Sequence, residues 1–304
     1  VIDLSVDLGF MKLRNPVIAA SGTFGYGLEF KPFINPNRLG GIVVKGLYFE
    51  PRAGNPPPRL AETASGLINA IGLQGIGVRA FSEKILPKLA RVKAPIIVNV
   101  CGETDEEYVA VIEFLNKDDR VAAYELNISC PNVREAGRCP ALSADSTYAL
   151  VKRAKAAARR PLITKLSPNV TDIVSVALAA QEGGSDAVSL INTLLAMAVD
   201  VETRRPRLAN VTGGLSGPAI KPIALRMVYQ VASRLKIPVI GMGGIMTGRD
   251  ALEFLVVGAR AVEVGTANFI DPGASARIVG EIADFCRARK IGRVEEVIGT
   301  LKTD

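Results

Sequence analysis

The stretches "KAPIIVNV" (93–100), "RRPLITKL" (159–166) and "KIPVIGMGG" (236–244) are built alike. Each opens on a basic residue, meets a proline within two positions, and runs on through apolar, largely β-branched residues. Proline bars helix continuation and biases the residue before it toward extended backbone. The β-branched run that follows favours a strand. Three further runs, "GGIVVKG" (40–46), "GGSDAVSLINT" (183–193) and "GARAVEVGT" (258–266), enter through glycine, the residue that ends helices in a left-handed turn. With Pro16–Ser21 and Ala122–Ser129, the series reads Gly41–Gly46, Pro95–Val100, Pro161–Leu166, Ala187–Thr193, Pro238–Gly243 and Ala261–Gly265, eight runs with helical segments between them.

Strands this continuously apolar are covered on both faces, as in a parallel sheet with helices outside. Eight βα units close naturally into an α/β fold of the (β/α)8 TIM barrel type, a single domain over residues 1–304. A doubly wound open sheet is the alternative, but no G-x-G-x-x-G follows the first strand. Start signals predict the helices: Thr104 with Glu107 as a capping box, Thr247 with Asp250 as a weaker one, and Asp271-Pro272 as an N-cap with Pro at the first helical position. Gly183-Gly184 and Gly258 end two of them. Two connections are long, Leu47 to Lys93 and Asn192 to Ile237. Their Gly/Pro/Asn-rich parts, about 50–75 and 199–217, read as excursions over the top face.

Composition narrows the chemistry. A chain 48% hydrophobic and 22% charged has a soluble globular balance, and its longest nearly apolar run, Ala187–Val199, is too short to span a bilayer. "VIDLSVDLGFMKLRNP" lacks the basic-then-apolar layout of a signal peptide. The four cysteines, Cys101, Cys130, Cys139 and Cys286, show no C-x-x-C spacing, which argues against a zinc site or an iron–sulfur cluster held by this chain alone and fits a reducing cytoplasm. The net charge of +7 comes from scattered basic residues, with small clusters at Lys152–Arg160 and Arg204–Arg207 that read as solvated surface rather than a nucleic-acid patch. There is no histidine, so proton chemistry falls to Cys, Lys, Tyr, Asp or Glu.

Barrel active sites sit at the C-terminal ends of the strands. Those ends carry Ser21, Lys45, Asn99, Asn127, Lys165, Asn192-Thr193, Gly243-Gly244 and Gly265-Thr266. Any one of them is explained by a satisfied structural polar group; the whole set points to a polar ligand across the barrel mouth. "GMGGI" and "VGTANF" follow the last two runs, where barrels bind phosphate through backbone N–H groups. Lys45 and Lys165 leave apolar strands, "VVKG" and "ITKL", where a lysine is costly unless it meets an anion. A structural ion pair, a ligand anion and a Schiff-base lysine all remain open for them. Cys130 follows the fourth run directly and Pro131 bars a helix after it. Packing as a small hydrophobe is the ordinary fate of such a residue. In a chain without histidine, its thiolate is the best available proton acceptor.

These residues belong to a larger pattern. "ASGTFGYG" (20–27), "NAIGLQ" (69–74), "NISCPNV" (127–133), "KLSPNV" (165–170), "INT" (191–193), "TGGLSGPA" (212–219), "GMGG" (241–244) and "GTANF" (265–269) together resemble class 1 dihydroorotate dehydrogenase, specifically class 1B, the catalytic subunit of the NAD-linked form. The resemblance runs in order over nearly the whole chain. It implies FMN across the barrel top, against Ser21, Lys45, Gly46, Asn99, Asn127, Lys165, Ile191, Gly217, Gly243, Gly244, Gly265 and Thr266. It implies dihydroorotate against Lys45, Asn69, Ala70, Ile71, Gly72, Leu73, Asn127, Asn192 and Thr193. Cys130 would take the C5 proton while C6 delivers hydride to flavin N5, in pyrimidine biosynthesis. The family also implies a homodimer of this chain and a partner subunit carrying FAD and a 2Fe-2S cluster, the two forming a heterotetramer that passes electrons to NAD+. The stretch "REAGRCPALSAD" (134–145) departs from the family's Gly-Gly and Phe-Gly containing loop and contains Cys139. Two other activities stay on the table: a related FMN-dependent dihydropyrimidine oxidoreductase, and a non-redox barrel lyase using a lysine such as Lys165.

Overall fold

The computed structural model describes residues 2–129 and 140–303, so Cys130 and Cys139 lie outside the described residues. Eight parallel strands form the centre: β1 (Val17–Ala19), β2 (Gly41–Leu47), β3 (Ile96–Val100), β4 (Val121–Asn127), β5 (Leu162–Lys165), β6 (Ala187–Leu190), β7 (Val239–Met242) and β8 (Ala261–Val264). They hydrogen-bond in sequence order, and β8 returns to β1 through Val262 opposite Val17 and Val264 opposite Ala19, which closes the barrel. The eight predicted runs are these eight strands. β1, β3 and β5 to β8 are buried along their whole length, as strands covered on both faces must be.

Helices Asp105–Leu115, Ala144–Ala157, Ile173–Glu182, Lys221–Ala232, Gly248–Val256 and Ala274–Ala288 pack outside. Their buried positions follow the helical repeat, as with Tyr108, Val111, Ile112 and Leu115. Two units depart from the ideal. The connection after β1 holds only the short 3-10 turn Pro36–Arg38 in place of a helix. The helix after β2 is a composite, with an α turn at Gly77–Ala80, a π turn at Phe81–Ile85 and a 3-10 turn at Leu86–Leu89. Pro87 in its last part lacks the N–H that a regular α-helix needs.

The capping signals are redistributed. Thr247 and Asp250 form the full reciprocal box: the Asp250 N–H donates to Thr247 Oγ1 at 3.2 Å, and the Thr247 N–H to Asp250 Oδ2 at 2.9 Å. At the other site Thr104 accepts from the Glu107 N–H, but the Glu107 carboxylate reaches the Glu103 N–H at 2.7 Å, so only half of the predicted box exists. Asp271-Pro272 is not the N-cap and first position of the last helix. Asp271 caps a turn at Gly273 instead, and the helix starts at Ala274. Gly183, Gly184 and Gly258 do end their helices.

The two long connections meet over the barrel. Strands Leu60–Thr63 and Gly66–Asn69 from the first, with Leu194–Met197 and Thr212–Ser216 from the second, make one four-stranded antiparallel sheet. The second excursion thus begins at Leu194, earlier than the glycine-rich composition indicates. A small ribbon, Val199–Asp200 with Arg205–Pro206, extends it. Among the described residues, no helix is long and apolar enough to cross a membrane.

Candidate active site

A cavity of about 870 Å³ opens between the C-terminal ends of the barrel strands and the covering sheet. Ser21, Lys45, Gly46, Asn99, Asn127, Lys165, Ile191, Gly217, Gly243, Gly244, Gly265 and Thr266 all line it. So do Asn69, Ala70, Ile71, Gly72 and Leu73 from the first excursion, and Asn192 and Thr193 after β6. Residues far apart in the chain converge because parallel strands place all their exits at one end. The exception is Cys130. Ser129, its neighbour, is the last described residue before it and lines the same cavity.

The segment 69–73 is held from both sides. Asn69 pairs with Gly214 in the covering sheet and donates from Nδ2 to the Gly214 carbonyl at 3.1 Å. Asn55 donates from Nδ2 to the Ala70 carbonyl at 2.9 Å and from its backbone to Ile71 at 3.0 Å. This grip sustains the positive φ of 52° at Leu73, a conformation that a branched side chain rarely adopts.

On the opposite wall, Gly243 and Gly244 follow β7 with φ of 124° and 74°. A Cβ at Gly244 would lie 2.8 Å from the Gly217 carbonyl, so only glycine fits this turn. Neither Gly244 nor Thr266 finds an acceptor for its backbone N–H among the described residues. Both line the cavity, and backbone N–H groups left free after barrel strands 7 and 8 are the kind of donor that takes a phosphate.

Between these walls runs a chain of amides. Asn99 Nδ2 donates to Glu125 Oε1 at 2.6 Å, Asn127 Nδ2 donates to Asn99 Oδ1 at 3.3 Å, and Ser129 Oγ donates to Asn127 Oδ1 at 2.9 Å. Asn192 Nδ2 donates to both Asn127 Oδ1 and Ser129 Oγ. The Tyr108 hydroxyl donates to the Asn127 carbonyl at 2.8 Å and pins the end of β4. Each amide offers a donor and an acceptor, so the row can read a flat ring with alternating N–H and C=O groups.

Two lysines supply positive charge. Lys45 is half-buried and has no carboxylate partner among the described ion pairs. Burial and then the nearby Arg59 guanidinium push its pKa below the usual lysine value, partly offset by Glu29. Lys165 is 5% exposed and sits 3.4 Å from Glu125 Oε1 and 3.5 Å from Glu263 Oε2. Burial opposes its charge, but the two carboxylates outweigh that and raise its pKa. The residues present therefore fit a flavin phosphate and ring: free backbone N–H groups, a cation without an ion pair among the described residues, and a buried cation at the cavity floor.

The carboxylates Glu125 and Glu263, together with Ser129, Ser189 and Arg59, were not singled out by motif. The usable signal was present for two of them. "YEL" and "VEV" each place a charge in the middle of an apolar strand, where it must find a partner.

A closed (β/α)8 barrel with a cation-bearing polar cavity at its strand ends defines a barrel enzyme for a small anionic ligand. The family profile described as "Dihydroorotate dehydrogenase" matches residues 3–286, and the chain belongs to the dihydroorotate dehydrogenase family. It is 55% identical over 300 residues to the catalytic subunit of dihydroorotate dehydrogenase B (NAD(+)) of Geobacter metallireducens, covering 99% of this chain and 98% of that one. It is 56% identical to the Geobacter sulfurreducens protein of the same name over the same shares, and 52% identical to that of Bacteroides thetaiotaomicron, covering 99% of each. A crystal structure of DHODH from Eimeria tenella in complex with ferulenol superposes with a TM-score of 0.80 over 98% of this chain and 88% of that one. At 23% identity this is a likeness of fold.

Proposed function

We propose that this chain is the catalytic subunit of an NAD-linked dihydroorotate dehydrogenase, oxidising dihydroorotate to orotate in the cytoplasm during pyrimidine synthesis. The observation that carries the reading is the cavity itself. One lysine without an ion pair among the described residues, a row of asparagine amides and the glycine turns after barrel strands 7 and 8 line a single space, in a chain more than half identical to such subunits end to end. FMN, when bound, supplies the acceptor for the two electrons.

The protein's own residues do the rest. Lys45 meets the substrate carboxylate with a charge that makes no ion pair among the described residues and is only partly offset by Glu29. Asn69, Asn127 and Asn192 orient the pyrimidine through its amide edges. The segment Ala70, Ile71, Gly72 and Leu73 walls off water from the covering sheet. Lys165 stabilises negative charge on the ring side of the cofactor, while Ser21, Gly46, Asn99, Ile191, Gly217, Gly243, Gly244, Gly265 and Thr266 hold its remaining edges and phosphate. Cys130, outside the described residues, takes the C5 proton. Electrons leave through a partner subunit with FAD and a 2Fe-2S cluster, in a heterotetramer built on a dimer of this chain, and reach NAD+.

Anaerobic addition of dihydroorotate to the yellow protein is expected to bleach the flavin absorbance. NAD+ reduction should be negligible until the iron–sulfur partner is added. A colourless protein trapped by borohydride with substrate would replace this reading by a lysine-dependent lyase, and bound FMN that dihydroorotate cannot bleach would make the chain a non-catalytic binder.

Lys45→Met tests the carboxylate contact. A charge-assisted hydrogen bond contributes about 1.5–3 kcal/mol, so orotate affinity should fall roughly 10- to 150-fold. Uracil, which lacks the carboxylate, should bind the variant and the parent alike. Equal losses for both ligands in a titration of the flavin spectrum would remove Lys45 from the carboxylate.

A further inference from the structure

At the base of the cavity the cluster of Lys165, Glu125 and Glu263 is unevenly satisfied. Glu125 is fully buried, and it accepts from Asn99 Nδ2 at 2.6 Å, from Ser189 Oγ at 2.9 Å and from Lys165 Nζ at 3.4 Å. Glu263 is 1% exposed and lines the cavity, yet neither of its oxygens has a hydrogen-bond partner among the described residues. Its one close charge partner is Lys165, whose Nζ is 3.5 Å from Oε2. The strands on either side, Val239–Met242 and Val17–Ala19, contribute no titratable side chain. Among the described residues, the charged groups that act on Glu263 most strongly are Glu125 and Lys165.

One lysine cannot balance two ionised carboxylates in this space. A buried carboxylate without donors is strongly disfavoured, and a second carboxylate beside it disfavours it further. Glu125, with three donors, keeps its charge. We propose that Glu263 is held as the neutral acid beside an ionised Glu125, and acts as a positioning residue that keeps the cavity floor from becoming anionic under the cofactor ring. With the proton in place the three groups sum to zero, and Lys165 is matched by one carboxylate only. Without it they sum to minus one, directly beneath the place where the occupant gains negative charge. Burial and the Glu125 charge both push the Glu263 pKa far above the usual carboxylate value, in the direction this arrangement requires. The functional part rests on the proposed flavin reading; the neutral state of Glu263 does not.

The test is made on the full chain as purified. At about pH 7, far above the ordinary carboxylate range near 4.3, the infrared spectrum should contain a buried carboxylic-acid C=O band that shifts when glutamate is 13C-labelled. Glu263→Gln, a neutral isostere, should lose that band. A group whose folded pKa is raised contributes stability that is complete below its unfolded value and is lost as pH rises toward the folded one. Gln has no such loss. The unfolding equilibrium of Glu263→Gln relative to wild type should therefore shift in the variant's favour by about tenfold per pH unit above ~4.3. No acid band in the wild type, a band that persists in Glu263→Gln, or a stability difference independent of pH would each overturn the proposal. Should Glu263→Gln not fold, the wild-type band decides alone, its presence supporting the neutral buried acid and its absence refuting it. A colourless protein that keeps the band fails the flavin reading only; a flavin-loaded protein without it fails this one only.

Discussion

Cys130→Ser should keep its FMN and lose about 10²- to 10⁴-fold in the rate of anaerobic flavin reduction by dihydroorotate at neutral pH, the usual worth of a positioned general base. The size of the effect follows from what the chain lacks. With no histidine anywhere in the sequence, no ordinary neutral-pH base stands ready to replace the thiol. The lysines are poor substitutes: Lys165 is tied to two buried carboxylates and its pKa is raised, while Lys45 is wanted as a cation for the substrate. A serine hydroxyl at position 130 fills similar space but does not ionise in the working range. A cysteine's ordinary pKa is about 8.5, so wild-type reduction should climb with pH toward that value, whereas the serine variant should stay low across it. Stopped-flow bleaching from about pH 6 to 9 reads both. A serine variant as fast as wild type would give the C5 proton to another acceptor, and Cys139 would be the next thiol to replace.

The barrel was legible because each strand carries its own punctuation. Proline before Ile96, Leu162 and Val239, and glycine before Ile42 and Ala187, mark where helix gives way to strand whatever the tertiary context. The cavity lining was legible for the same reason: parallel strands of known order put Lys45, Asn99, Asn127 and Lys165 at one end. Partner choice was less readable. Glu107 turned to the Glu103 N–H rather than that of Thr104, and Pro272 sits in a turn before its helix, because a cap is decided by local geometry that several sequences satisfy equally. The sheet joining Gly66–Asn69 to Thr212–Ser216 pairs residues about 145 positions apart, and nothing in a glycine-rich excursion specifies so distant a neighbour. Glu125 and Glu263 were hidden differently. Inside largely apolar strands, each looks like a local interruption, and their meaning emerges only when β4, β5 and β8 bring both to one lysine.

That convergence makes Lys165→Met the most damaging replacement for the fold itself. The methionine keeps much of the side-chain volume but leaves two buried carboxyl groups without their cation. Removing one partner of a buried ion pair costs about 3–5 kcal/mol, a large share of the ~5–15 kcal/mol that holds a domain folded. The pH dependence should identify the cause. In the wild type, burial works against the Glu125 charge, but Lys165 and the hydrogen bonds outweigh it and lower the pKa, so its contribution is present above the ordinary carboxylate value and is lost as pH falls through the folded one. In the variant both carboxyls are buried without a counter-charge, and their pKa values should rise. Stability should then be greatest in mild acid and decline as pH increases, more steeply than in the wild type, where Glu263 is the one member of the cluster that takes up a proton on folding. Urea titrations at about pH 5 and pH 8 distinguish the two slopes. Adding Glu263→Gln should recover stability by about tenfold per pH unit above ~4.3, as in the wild-type background, because the acid that is neutral when folded ionises on unfolding; adding Glu125→Gln should recover the part specific to Lys165→Met by removing the member that lost its cation. A Lys165→Met protein within about 1 kcal/mol of wild type, with an unchanged pH slope, would mean that the cluster is solvated and contributes as little as a surface ion pair.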